Sequence, residues 1–126
     1  LAHLDDLAAA RRSFAFETTL SARTYAPRLE ALRDAGYVSH MLYFWLEDAE
    51  TAIRRVADRV KSGGHHIPAD TIRRRYSRSV RNFLDLYRPI VTTWTVYDNT
   101  DVTPRVLAIH NGYYETVIDA ERWELF

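Results

Sequence analysis

The chain has 126 residues, enough for one domain with a real core, and 47% of them are hydrophobic. Its 17 basic residues balance 17 acidic ones and it has no cysteine, which excludes a disordered chain, a globally basic nucleic-acid binder, disulfides, thiolate zinc sites and thiol nucleophiles. The lack of cysteine suits a cytoplasmic protein; no apolar run approaches the roughly 20 residues of a membrane span and no signal peptide is visible.

In chain order, LAHLDDLAAARR reads as the end of a helix, apolar at Leu1, Leu4 and Leu7. SFAFETT, residues 13–19, reads as a short buried strand that stops abruptly on Glu17 beside the hydroxyls of Thr18, Thr19 and Ser21. RTYAPRLEALRDAG is a helix with Leu29 and Leu32 inward and Gly36 as the residue that ends it. YVSHMLYFWL follows as a ten-residue strand, so continuously apolar that both its faces are expected to be covered.

DAETAIRRVADRVKS is a helix with Ile53, Val56 and Val60 on one side, and GGHHIP breaks it. A long helix is expected from about Ala69 to Tyr87, with Ile72, Tyr76, Val80, Phe83, Leu84 and Tyr87 on one stripe. TTWTVYDNT is a strand and its loop. RVLAIHNGYYETVID reads as a hairpin about a type I′ turn at Asn111-Gly112, and AERWELF as a closing helix. Alternating strands and helices indicate a single α/β domain spanning residues 1–126, with helices on both faces of the sheet. In such sheets ligands bind beyond the carboxyl ends of the strands, so Glu17 stands at the rim of a crevice. The alternative is that Glu17, Thr18, Thr19 and Ser21 cap the next helix.

The neutral total hides an asymmetry. Between Arg54 and Arg88 ten basic residues face three acids, a local balance of +7. At the helical spacings i±3 and i±4, Glu50 can serve Arg54, Asp58 can serve Arg55, Asp70 can serve Arg73 or Arg74, and Asp85 can serve Arg81. Arg59, Arg75 and Arg78 have no acid at either spacing. Solvated surface arginines are one reading; the other is a phosphate-binding lid at about residues 59–78 that closes on glycines near its hinge, since guanidinium groups grip phosphate oxygens bidentately. His65 and His66 lack a third ligand nearby, so no metal is expected. Ser21, His110 and Asp98 lack the turn that would hold a catalytic serine.

FAFETTLS, a helix ending AGY, a long apolar strand, RVADRVKSGGHHIPADTIRRRYSRS and finally VYDNT occur in the order found in one family. The chain resembles the zeta-toxin-like P-loop kinases, from about residue 3 to its C-terminus. The resemblance implies a nucleotide-kinase-like α/β fold and ATP with Mg2+. It further implies γ-phosphate transfer to a small-molecule hydroxyl, in the zeta toxins proper that of a UDP-linked amino sugar. By it, Glu17, Thr18 and Thr19 correspond to the substrate-contacting acid-glycine-threonine motif, with Thr18 departing from glycine. Arg59, Arg74, Arg75 and Arg78 correspond to the lid arginines that clamp phosphates.

One departure outweighs the others. No G-x-x-x-x-G-K-[ST] loop is present: the glycines stand at 36, 63, 64 and 112, and the single lysine, Lys61, follows Val60. In the family that loop, its lysine and the catalytic base lie upstream of the first strand, and the central P-loop strand would sit between SFAFETT and YVSHMLYFWL. The chain, which starts at Leu1, is therefore expected to be the C-terminal portion of such a kinase and inactive alone. Its two open strand edges are expected to pair with each other, to borrow a partner's strand in an oligomer, or to belong to a longer protein. The alternative is a non-catalytic binding module that engages an antitoxin-like protein. Nucleic-acid binding through the basic segment is weaker, since the arginines lack interleaved aromatics.

Overall fold

The computed structural model describes residues 2–126, which form α1 (Ala2–Ala9), α2 (Tyr25–Asp34), β1 (His40–Trp45), α3 (Ala49–Lys61), α4 (Ala69–Asn82), β2 (Thr93–Asp98), β3 (Arg105–His110), β4 (Glu115–Val117) and α5 (Ala120–Leu125). The strands make an open mixed sheet in the order β1-β2-β3-β4. β1 and β2 run parallel, from His40 beside Thr93 to Trp45 beside Asp98, and the other pairs are antiparallel. A parallel pair needs a crossover, and α3 with α4 supplies it.

The core lies on one face of this sheet. Tyr43 and Trp45 of β1 and Trp94 and Val96 of β2 alternate inward and are buried. Phe83 sits among them, 5.0 Å from the Tyr43 ring and edge-on to Trp94 at 5.4 Å. Trp123 and Phe126 close the cluster: Trp123 stacks on Trp94, and Phe126 meets Tyr43 and Trp45. The hydroxyls of Tyr43 and Ser79 are hydrogen-bonded across the sheet–α4 contact. Burial pushes the Tyr43 phenol up to about 12, although the Ser79 bond works against that rise.

Helix ends follow local chemistry. Asp48 starts α3 by accepting bonds from the Thr51 N–H and hydroxyl, both 2.7 Å, and these bonds hold its carboxyl below the usual range. At the other end the Gly63 N–H donates to Val60 O and the Gly64 N–H to Arg59 O, the double bond pattern of a Schellman cap. Gly63 is left-handed at φ 98°, and a Cβ on Gly64 would lie 2.9 Å from Arg59 O. The glycine pair expected at a lid hinge is therefore a bonded helix terminus. Gly63→Ala should lower stability by about 1–2 kcal/mol, the cost of left-handed backbone for an L side chain. A urea melt checks this, and an unchanged midpoint would contradict it.

Four expectations need correction. Residues 13–19 form no strand; Phe14 and Phe16 instead join an aromatic row with Tyr37 and Tyr25, with Phe16 stacked on Tyr25 at 5.1 Å. β1 has six residues rather than ten, and its second face is open: Leu42 is 59% and Phe44 53% exposed, Phe44 stacking on Tyr97. Helical coverage of that face, expected from the apolar run, is thus missing at β1, which is also an edge strand with no neighbour on its far side among the described residues. Edge pairing between the first two predicted strands does not occur, because the first is absent. The β3–β4 hairpin has a four-residue loop in which Asn111 Oδ1 accepts from the Tyr113 and Tyr114 N–H groups, rather than a type I′ turn.

Candidate functional site

The segment around Glu17 is shaped by residues distant in sequence. Glu17, Thr18 and Thr19 are exposed, and Leu20 then turns inward with only 4% of its surface accessible. Leu20 is left-handed at φ 59°, a conformation that costs a residue with a Cβ roughly 1–2 kcal/mol. Two hydroxyls brace the turn locally, Thr18 Oγ1 accepting from the Leu20 N–H and Thr19 Oγ1 from the Ser21 N–H, while Thr19 and Ser21 share a 2.8 Å bond. The expected helix-capping alternative is not seen, since α2 starts at Tyr25 and its N-cap residue, Thr24, makes no side-chain cap bond.

The turn is tied to the end of α4. Buried Asn82 donates from Nδ2 to Leu20 O at 2.7 Å, and the Tyr87 hydroxyl donates to Ala22 O at 2.6 Å. Between them the helix widens into a π-turn, Phe83–Tyr87, marked by the bond from Arg88 N–H to Phe83 O. Local spacing gave no hint of Asn82. The available signal was an amide one turn beyond Ser79, on the edge of the apolar stripe, where a buried polar group must find a partner.

Two of the arginines, Arg75 and Arg78, lie on the same helix as Asn82. Arg78 lies four residues and Arg75 seven residues before it, so all three share one stripe of α4. Arg78 is then about 6 Å and Arg75 roughly 10 Å along the helix axis from the residue that holds Leu20. Both arginines are exposed, and neither has a carboxylate partner among the described residues. Arg74 bonds Thr71 Oγ1 at 3.3 Å, and Arg59 stands exposed in the last turn of α3. Arg73 takes the local acids, pairing with Asp70 and, across to α3, with Glu50. Glu50 thus serves Arg73 rather than Arg54, which bonds Thr51, and Arg55 donates to Thr100 O instead of pairing with Asp58.

A second polar cluster closes the carboxyl ends of β1 and β2. Asp98, 5% exposed, accepts from Arg122 Nε at 2.5 Å and from the Thr100 N–H at 3.1 Å. Arg122 also reaches Glu47 and lies 5.5 Å from the centre of the Trp45 ring. Asp98 and His110 stand at opposite ends of the paired strands β2 and β3, so no catalytic arrangement with Ser21 forms.

The residues present do not fit an ATP–Mg2+ cradle. Lys61 is exposed in the last turn of α3 rather than on a strand-to-helix loop. Among the described residues, no three His, Asp or Glu side chains converge as metal ligands, and no helix is long and apolar enough to cross a membrane.

Over 63 residues, half of this chain, the sequence is 35% identical to a Haemophilus influenzae protein named only "Uncharacterized protein". The match spans 45% of that protein's length. No protein-family model and no solved structure matches the chain.

Proposed function

We propose that this chain is the ligand-binding portion of a zeta-toxin-like kinase domain and binds a small phosphorylated molecule with a free hydroxyl, such as a UDP-linked amino sugar. One observation carries the reading: Leu20, the residue after the Glu17–Thr19 cluster, is bonded through its carbonyl to Asn82 of α4, four and seven residues along that helix from Arg78 and Arg75. A phosphate on those unpaired guanidinium groups would lie about one to two helical turns along α4 from the residue that holds the Leu20 carbonyl, and the carboxylate and hydroxyls just before Leu20 would bond a sugar hydroxyl. Arg74 and Arg59 extend the positive surface. Without a phosphate cradle the 126-residue chain is expected to bind but not to transfer phosphate, because positioning and charge neutralisation supply most of that catalysis.

The test is a titration with UDP-N-acetylglucosamine followed by two-dimensional amide NMR. Saturable shifts are expected at residues 17–21 and along α4 at 74–78. The double variant Arg75→Glu/Arg78→Glu should weaken binding at least about tenfold, since hydrogen bonds to charged groups are worth ~1.5–3 kcal/mol each. Absence of saturable shifts at millimolar ligand, or equal affinity in the double variant, would sink the reading.

The exposed Leu42 and Phe44 on the β1 edge favour a second reading. There an antitoxin-like protein or a second copy of the chain would add a strand, with backbone bonds giving affinity and the two side chains giving contact area. Leu42→Lys/Phe44→Lys would abolish that association while leaving the sugar titration unchanged.

A further inference from the structure

Among the described residues, the stretch from Ser13 to Ala22 makes no backbone–backbone hydrogen bond. Its own hydroxyls brace it locally, but those bonds do not connect it to the rest of the molecule. Polar connections from the body of the fold reach its inner end through two side chains, Asn82 and Tyr87, on carbonyls two residues apart. Its apolar attachments are the buried Leu20 side chain and the Phe14 and Phe16 rings against Tyr37 and Tyr25.

The π-turn makes this double attachment geometrically available. In a regular α-helix a residue five positions on is rotated by about 500°, which leaves it roughly 140° away around the axis. In an i→i+5 turn the chain comes back over itself after five residues. The widened turn therefore brings Tyr87 round to the side from which Asn82 already reaches Leu20. The same two bonds hold Leu20 in its left-handed conformation, which an unattached loop would leave. Neither residue faces the ligand surface, as Asn82 is 5% exposed and Tyr87 0%.

We infer that Asn82 and Tyr87 are positioning residues for the ligand site: the π-turn clamps the strained Leu20 turn, and through it sets where Glu17, Thr18 and Thr19 stand relative to Arg75 and Arg78. This rests on the reading that the Glu17 cluster meets the ligand's hydroxyl. Tyr87→Phe removes one hydroxyl and keeps the ring in the core; Asn82→Leu removes the amide and supplies a second variant. Two readouts separate positioning from simple support: cleavage after Glu17 by a glutamate-specific protease in the full chain, resolved by mass spectrometry, and UDP-N-acetylglucosamine affinity.

Tyr87→Phe is expected to lower the urea midpoint by no more than one hydrogen bond's worth of stability, to speed cleavage after Glu17 about tenfold and to weaken the sugar nucleotide about five- to tenfold, each on the scale of one lost hydrogen bond. An Arg75→Ala control should weaken binding without faster cleavage. Unchanged cleavage in folded Tyr87→Phe and Asn82→Leu overturns the clamp. Faster cleavage with wild-type affinity overturns the positioning role and leaves a loop tether. Should the wild type itself not bind UDP-N-acetylglucosamine, the ligand reading fails and takes the positioning role with it, while faster cleavage would still identify the pair as the tether.

Discussion

Phe83→Ala is expected to lower stability by about 3–5 kcal/mol, the usual cost of deleting a buried aromatic ring. Phe83 is fully buried and contacts three aromatic neighbours from different parts of the chain: Tyr43 of β1 at 5.0 Å, Trp94 of β2 at 5.4 Å and Phe126 at 5.6 Å. Two of these contacts are edge-on, the geometry in which ring quadrupoles attract, so each adds to the loss of apolar area. The cavity cannot collapse easily, because β1 and β2 are held by their ladder and the helix by its own bonds. A domain of this size has roughly 5–15 kcal/mol in total, so the variant would be close to unfolding. Phe83→Leu, which keeps most of the volume, should cost about 1–2 kcal/mol. Urea melts of both variants with an unchanged slope would support this. A loss below about 1 kcal/mol for Phe83→Ala would mean that Phe83 is not the hub of the core.

Phe83 also shows what could be read from the sequence. The stripe Ile72, Tyr76, Val80, Phe83, Tyr87 repeats at helical spacing, and α4 with its π-turn covers that span. α3 was legible for the same reason, its start marked by Asp48 and its end by Gly63. The π-turn was not legible, because one extra residue per turn leaves the apolar repeat nearly intact over so short a stretch. SFAFETT failed differently. Alternating Phe14 and Phe16 satisfies a strand pattern, yet rings two residues apart can equally stack on Tyr37 and Tyr25, and no neighbouring strand stabilises the extended form. The long apolar run at β1 signalled two covered faces, but apolarity records what a strand can bury rather than what covers it. At the candidate site, the missing carboxylate partners of Arg75 and Arg78 followed from spacing. The tie between the Leu20 turn and α4 did not, since it is a bond between residues 62 positions apart.

Arg122→Met should destabilise the fold by about 3–5 kcal/mol at neutral pH, and the loss should shrink as the solution is acidified. Asp98 is almost wholly buried and its partner only about a quarter exposed, so removal of the guanidinium leaves a desolvated carboxylate with the Thr100 bonds alone. Methionine keeps apolar contact with Trp45, which confines the change to charge and hydrogen bonds. In the wild type, burial pushes the Asp98 carboxyl upward, but the bonds from Thr100 and Arg122 outweigh it and hold the group below the ordinary carboxylate range. Its contribution to stability is therefore complete above the unfolded value near pH 3.9 and is lost as pH falls through the lower folded value. In Arg122→Met burial is opposed only by the Thr100 bonds, so the carboxyl stands higher than in the wild type. Relative to its state at pH 7, that variant therefore regains stability as pH falls toward the unfolded value near 3.9, above the range in which the wild type loses it. Urea melts at pH 7 and at pH 4 should show the difference between the two proteins narrowing. The double variant Asp98→Asn/Arg122→Met should recover much of the loss at pH 7, because no buried charge then remains unpaired. A pH-independent difference would show that the ion pair at the carboxyl ends of β1 and β2 contributes little to holding α5 against the sheet.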